Sequence, residues 1–231
     1  MEDGVAAYWA RTGAVTLKRA LWVVLYAVAM AAVESAVVVY LRALYTGAEP
    51  VSVLAYELPN RLVAIEVGRE VATLVMLIAL AALAARSAWE RFLYLALAFG
   101  VWDIFYYVWL WVFIGWPPSL FTWDILFLIP VPWLGPVIAP VIVSLCLVAG
   151  SLWLLSRPTL RLSRRAWALA IGGGILVLLS FIVDYRYALA RTDPPRFRWE
   201  LFWAGIVLGV GGIVWSAAKP PLPDAKTALR G

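Results

Sequence analysis

Six long apolar runs dominate the chain, at about 20–45, 62–85, 92–115, 134–155, 166–189 and 199–217. Each has roughly the 20 residues that an α-helix needs to cross hydrocarbon. None alternates polar and apolar positions with the period of two that a membrane β-barrel strand requires. The pattern predicts an all-α, polytopic integral membrane bundle of about six transmembrane helices. A single domain over 1–217 and a flexible cytoplasmic tail over 218–231 complete the expected organisation. Val5 to Val15, ahead of the first run, reads as a short interfacial helix.

One stretch breaks the pattern. Between the third and fourth runs lies WPPSLFTWDILFLIPVPW, and six prolines fall between Trp116 and Pro140. Proline lacks the amide proton and clashes with the preceding helical turn, so these residues cannot share one regular helix. The expected element is Pro-broken and either interfacial or re-entrant, from about Ser119 to Ile129, with a break at IPVPW before the fourth span. Such backbone survives at membrane depth where protein buries it or it lines a cavity.

Composition agrees with a lipid solvent. Of 231 residues, 65% are hydrophobic and 14% charged, and the mean hydropathy is +0.89. A soluble domain has nearer half and a quarter. The N-terminus opens MEDG, and its apolar run is too long for a cleavable signal, so it reads as a true first span. Histidine is absent. That removes the usual ligand for haem and zinc and the usual general base, so neither cofactor is expected. Any metal bound here would be a hard divalent cation such as Mg²⁺, Ca²⁺ or Mn²⁺, held by oxygen. The single Cys146 excludes an internal disulfide.

The basic residues set an orientation. With the N-terminus inside, twelve Arg and Lys fall on cytoplasmic pieces and six on outer pieces, Arg69 remaining in the membrane. The positive-inside rule then places both termini in the cytoplasm. The basic loop from Arg186 to Arg198 runs against this trend. No dense basic patch points to nucleic acid. Arginine far outnumbers lysine and alanine is abundant, which suggests a bacterial genome and a location in the cytoplasmic (inner) membrane.

Candidate chemistry lies in the charges that interrupt the spans: Glu34, Glu66, Arg69, Glu70, Asp103, Asp184 and Arg186. A charge at bilayer depth costs roughly 2.5–3.5 kcal/mol by insertion scales. Such groups pair, bind a ligand or line water. IEVGRE puts Glu66 and Glu70 one turn apart on one helix face with Arg69 beside them, and Thr73 continues the stripe. Two carboxylates so spaced can share a proton, grip a cation or bracket a guanidinium. Glu66 lies nearer the outside and is expected to be the ligand-binding member. GVWDIFYY offers Asp103 with Tyr106 and Tyr107 three and four residues on. Asp124 starts the Pro-broken element, and Glu34 sits among Met30, Ala31, Val37 and Val38. With the N-terminus inside, these groups share an outward depth. Trp102, Trp109 and Trp111 stand apart from the tryptophans near span ends. Gly172, Gly173 and Gly174, with Gly205 and Gly209, read as close-packing positions.

FGVWDIFYY and WDILFLIPVPWLGPVIAP resemble segments of uncharacterised bacterial multi-spanning membrane proteins. The resemblance covers spans three to four and implies no activity. Three functions stay open: a protein that binds or moves a proton, cation or small polar solute; a membrane-embedded enzyme acting on a lipid with carboxylates or a divalent ion; and an accessory subunit, in a homo- or hetero-oligomer, whose charges are internal bridges. The partners expected are the bilayer and a small cation, proton or lipid ligand, with no nucleic acid.

Overall fold

A computed structural model describes the backbone of residues 2–45, 59–157, 160–192 and 194–218, with side chains in the first helix from Thr16 to Leu44. The protein is an all-α polytopic membrane protein. Among the described residues six helical segments are long and apolar enough to cross a membrane. They are α1 (Glu2–Tyr45), α2 (Asn60–Ala84), α3 (Ala88–Ile114), α4 (Ile138–Leu155), α5 (Arg164–Ile182) continued by the short α6 (Tyr185–Ala190), and α7 (Trp199–Ala218). The tail from residue 219 onward lies outside the described residues.

Two differences from the sequence reading stand out. The first span and the stretch before it form one continuous helix, α1, rather than two. The proline-rich segment is a β-hairpin and not a helical element. Strand β1 (Trp123–Phe127) pairs antiparallel with β2 (Trp133–Pro136), Asp124 opposite Gly135 and Ile125 opposite Leu134, with an irregularity between Ile125 and Phe127. Prolines 130 and 132 fall in the connection, where no ladder amide is needed. Pro136 ends the second strand. Aromatic and branched residues between these breakers suit a pleated, half-buried surface better than a four-residue helix.

The residues group into two compact units, one from 1–158 with 181–197, the other from 159–180 with 198–231. The sequence reading took 1–217 as one domain. In the first unit α3 is the central helix, packing on α1, α2 and α4. Ala20, Val23, Ala27 and Ala31 recur at three- and four-residue spacing on α1 and bury against Leu97, Ala98 and Val101. The opposite face of α1 exposes Leu21, Trp22, Leu25 and Val33, which suits lipid contact. Ser87 caps α3 by accepting from the Glu90 amide at 3.2 Å, and Gly115 ends it at φ 66°, a left-handed angle that glycine adopts without Cβ strain. Gly100 lies against α4: a Cβ there would stand 2.7 Å from the Ser144 carbonyl.

The hairpin rests on aromatic rings. Phe127 stacks near Phe99 and Trp133, and Trp133 lies parallel to Phe181 with centroids 6.4 Å apart. Its ends are tied by the Val137 amide to the Thr122 carbonyl at 3.0 Å and the Ile138 amide to the Leu120 carbonyl at 2.8 Å.

In the second unit α5 and α7 pack antiparallel through glycine. A Cβ on Gly173 would fall 2.5 Å from the Gly205 carbonyl, and one on Gly212 would fall 2.6 Å from Leu169. Small residues let the backbones approach where lipid offers no hydrophobic driving force. The Ser163 amide donates to the Ser216 hydroxyl at 3.1 Å, joining the far ends of the pair.

Candidate functional site

Helix α2 buries one stripe: Glu66, Glu70, Thr73, Leu77 and Ala81. Its other faces carry Ile65, Val71, Val75, Ile78 and Leu83, all exposed. The polar residues are therefore on the only face that meets protein. Helical spacing puts them there, since residues three and four apart share a face.

Arg69 organises the upper half of this stripe. Its guanidinium donates to Glu66 Oε2 through Nε at 3.0 Å and Nη2 at 2.8 Å. Its Nη1 pairs with Glu34 Oε2 on α1. Glu34 also accepts from Thr73 Oγ1 at 2.6 Å. A charged network thus ties α1 to α2 from inside. The sequence reading assigned ligand binding to Glu66; the structure commits that carboxylate to Arg69.

Glu70 is differently placed. Both of its oxygens accept from the Leu128 amide at 3.0 Å, at the end of β1. The hairpin thereby satisfies a backbone donor that its turn leaves unpaired. Asp103, on α3, accepts from Ser144 of α4 at 2.8 Å. Tyr107 donates to Asp124 Oδ2 at 3.1 Å, linking α3 to β1. Arg42, whose guanidinium lies 4.0 Å over the Trp116 ring, is within electrostatic reach of Asp124. Among the described residues neither Glu70 nor Asp103 makes an ion pair.

These groups surround a cavity of about 50 Å³ lined by Arg69, Glu70, Thr73, Trp102, Asp103, Tyr106, Tyr107 and residues 125–127 of β1. Trp102 is 7% exposed, and among the described residues its indole N–H has no hydrogen-bond partner. The cavity holds more carboxylate than the one guanidinium on its wall answers, because that guanidinium is already shared by Glu34 and Glu66.

Of the sequence candidates, Glu34, Glu66, Arg69 and Thr73 form one linked group. Glu70, Asp103, Tyr106 and Tyr107 line the cavity beside Arg69 and Thr73, and Asp124 joins through Tyr107. The structure does not bring Asp184 and Arg186 to this cavity. The helix breaks after Ile182, Asp184 begins α6, and Arg186 is exposed. Sequence reasoning missed Ser144, the Leu128 amide and the β1 wall. Ser144 had a faint signal, a hydroxyl on the same α4 face as Pro140 and Ser151. The Leu128 amide had none, since a backbone donor leaves no mark on the sequence.

Among the described residues no group of three or more acidic or cysteine side chains could hold a metal ion. No family model, no curated protein and no solved structure matches the chain.

Proposed function

We propose that this membrane protein binds, and passes across the bilayer, a proton or small cation through the cavity between α2, α3 and the hairpin. The observation that carries this reading is the pair Glu70 and Asp103, two buried carboxylates on different helices, facing one cavity without an ion pair. Arg69 reaches Glu70 only at longer range, and an ionisable group kept at membrane depth without a direct ion pair marks a pathway or a ligand. Cavity size limits the cargo. An apolar cavity of about 150 Å³ holds a benzene, so about 50 Å³ suits a few water-sized atoms and not a sugar.

The test is flux into liposomes containing the purified protein, with a pH-sensitive dye inside and an imposed proton, sodium or potassium gradient. Glu70→Gln and Asp103→Asn keep side-chain shape and remove charge. Each is expected to lower flux about tenfold or more while circular dichroism stays unchanged. Wild-type vesicles no leakier than protein-free ones, together with no cation binding, would sink the reading.

A second reading has one observation in its favour. The Arg69 network bridges α1 and α2, as an accessory subunit built for assembly would need. It gives Glu70 and Asp103 structural roles alone, as acceptors for the Leu128 amide and the Ser144 hydroxyl.

We further propose that the protein lies in a bacterial cytoplasmic membrane with both termini inside, on the count of basic residues. A reporter active only in the cytoplasm, inserted in the loop beside Arg161, is expected to be active. Activity of a periplasmic reporter at that site would reverse the topology.

A further inference from the structure

We infer that the cavity takes a small ammonium ion, no larger than methylammonium, together with a water. This rests on the cation-binding reading above and names the class of cation.

The walls decide between ammonium and a metal ion. Trp102 meets Tyr106 and Phe127, each with centroids 6.2 Å away, and all three rings line the cavity. A hard metal ion needs about six oxygen ligands, and rings supply none. Among the described residues no group of three or more acidic or cysteine side chains is placed to hold one. An ammonium ion asks for less. It needs a few acceptors for its N–H groups, and it gains from lying against aromatic faces, tryptophan best of all.

The acceptors are present. Asp103 accepts one hydrogen bond, from Ser144, and Glu70 accepts from one amide. An ionised carboxylate has about four lone-pair sites, so both keep capacity for a second donor. Arg69 is paired with Glu34 and Glu66 and acts on Glu70 only at longer range.

Trp102 adds an independent observation. A buried indole N–H is normally hydrogen-bonded, and this one has no partner among the described residues. An ammonium ion cannot accept from it. A water entering with the ion can, while its other lone pair accepts from the ammonium. Trp102 thereby senses the ion through its ring and through the water.

Equilibrium dialysis of the detergent-purified full chain with radiolabelled methylammonium tests this. The expected result is one saturable site per chain, displaced by ammonium and not by equal sodium or potassium. Asp103→Asn should weaken it roughly tenfold, and Trp102→Phe should shift the methylammonium-to-potassium ratio by ~3-fold or more. If either variant misfolds, competition on the wild-type protein still decides. Equal displacement by sodium or potassium would overturn the inference, as would no saturable methylammonium binding. Either result with proton or alkali flux intact overturns this inference alone, and loss of that flux as well removes the broader reading.

Discussion

Arg69→Met is expected to destabilise the protein by about 3–5 kcal/mol, the cost of stranding buried charge by removing its partner. Arg69 meets two carboxylates at once, Glu66 on its own helix and Glu34 on α1, and both are buried. Methionine fills much of the same volume, so the loss reads charge and hydrogen bonding rather than a cavity. The deficit should narrow in acid, because a neutral carboxyl no longer needs the guanidinium. Arg69→Lys should fall between, since an ammonium cannot present the planar fork that serves two acids. Arg61→Met on the exposed end of the same helix is the control, with an expected change within about 0.5 kcal/mol. Thermal unfolding in detergent measures all three. Equal stability of Arg69→Met and wild type at neutral pH would show that the network contributes nothing net.

Gly173→Leu should act as strongly on the other compact unit. Three backbone atoms of α7 lie within 3 Å of the position its Cβ would take: the Gly205 carbonyl oxygen at 2.5 Å, the Gly209 nitrogen at 2.6 Å and the Gly209 Cα at 2.8 Å. Backbone cannot rotate aside as a side chain can, so α5 and α7 must separate. Overpacking costs typically 1–3 kcal/mol, and losing the helix contact should bring the total to the upper end or beyond. Its neighbour supplies the contrast. A Cβ on Gly174 meets nothing within 4 Å, and leucine is the better helix former by nearly 1 kcal/mol. Gly174→Leu should therefore be neutral or slightly stabilising. The pair can be compared by unfolding in a denaturing detergent, followed by helical circular dichroism. If both variants unfold together, close approach of α5 and α7 at Gly173 is not what holds the unit.

The two glycine predictions show how far a sequence can be read. GGG in one span and G-x-x-x-G in another mark close packing, yet neither says which of three adjacent glycines faces the partner. Helix rotation decides that, and it selects Gly173 over Gly174. The same rule governs the charges. Periodicity alone places Glu66, Glu70 and Thr73 on one stripe of α2, and the structure buries that stripe. Periodicity is silent on where the Arg69 guanidinium goes. It reaches Glu66 and crosses to Glu34, and Glu70 is left to the hairpin.

What the sequence determined by itself is the solvent and the secondary structure of the spans. Apolar length against bilayer thickness fixes both, because an unpaired amide in lipid costs too much for any other backbone there. Six prolines between Trp116 and Pro140 likewise announced that no regular helix could form. Only the tertiary structure decided what replaced it. A β-hairpin became possible because α2 offers the Glu70 carboxylate to the Leu128 amide, and because Phe99, Trp102 and Phe181 build a floor beneath it. Those partners stand 25 to 58 residues along the chain from the hairpin residues they meet. The cavity has the same origin: its acids were visible as anomalies, but Ser144, the β1 wall and the Trp102 indole acquire meaning only once α3 is set between α2 and α4.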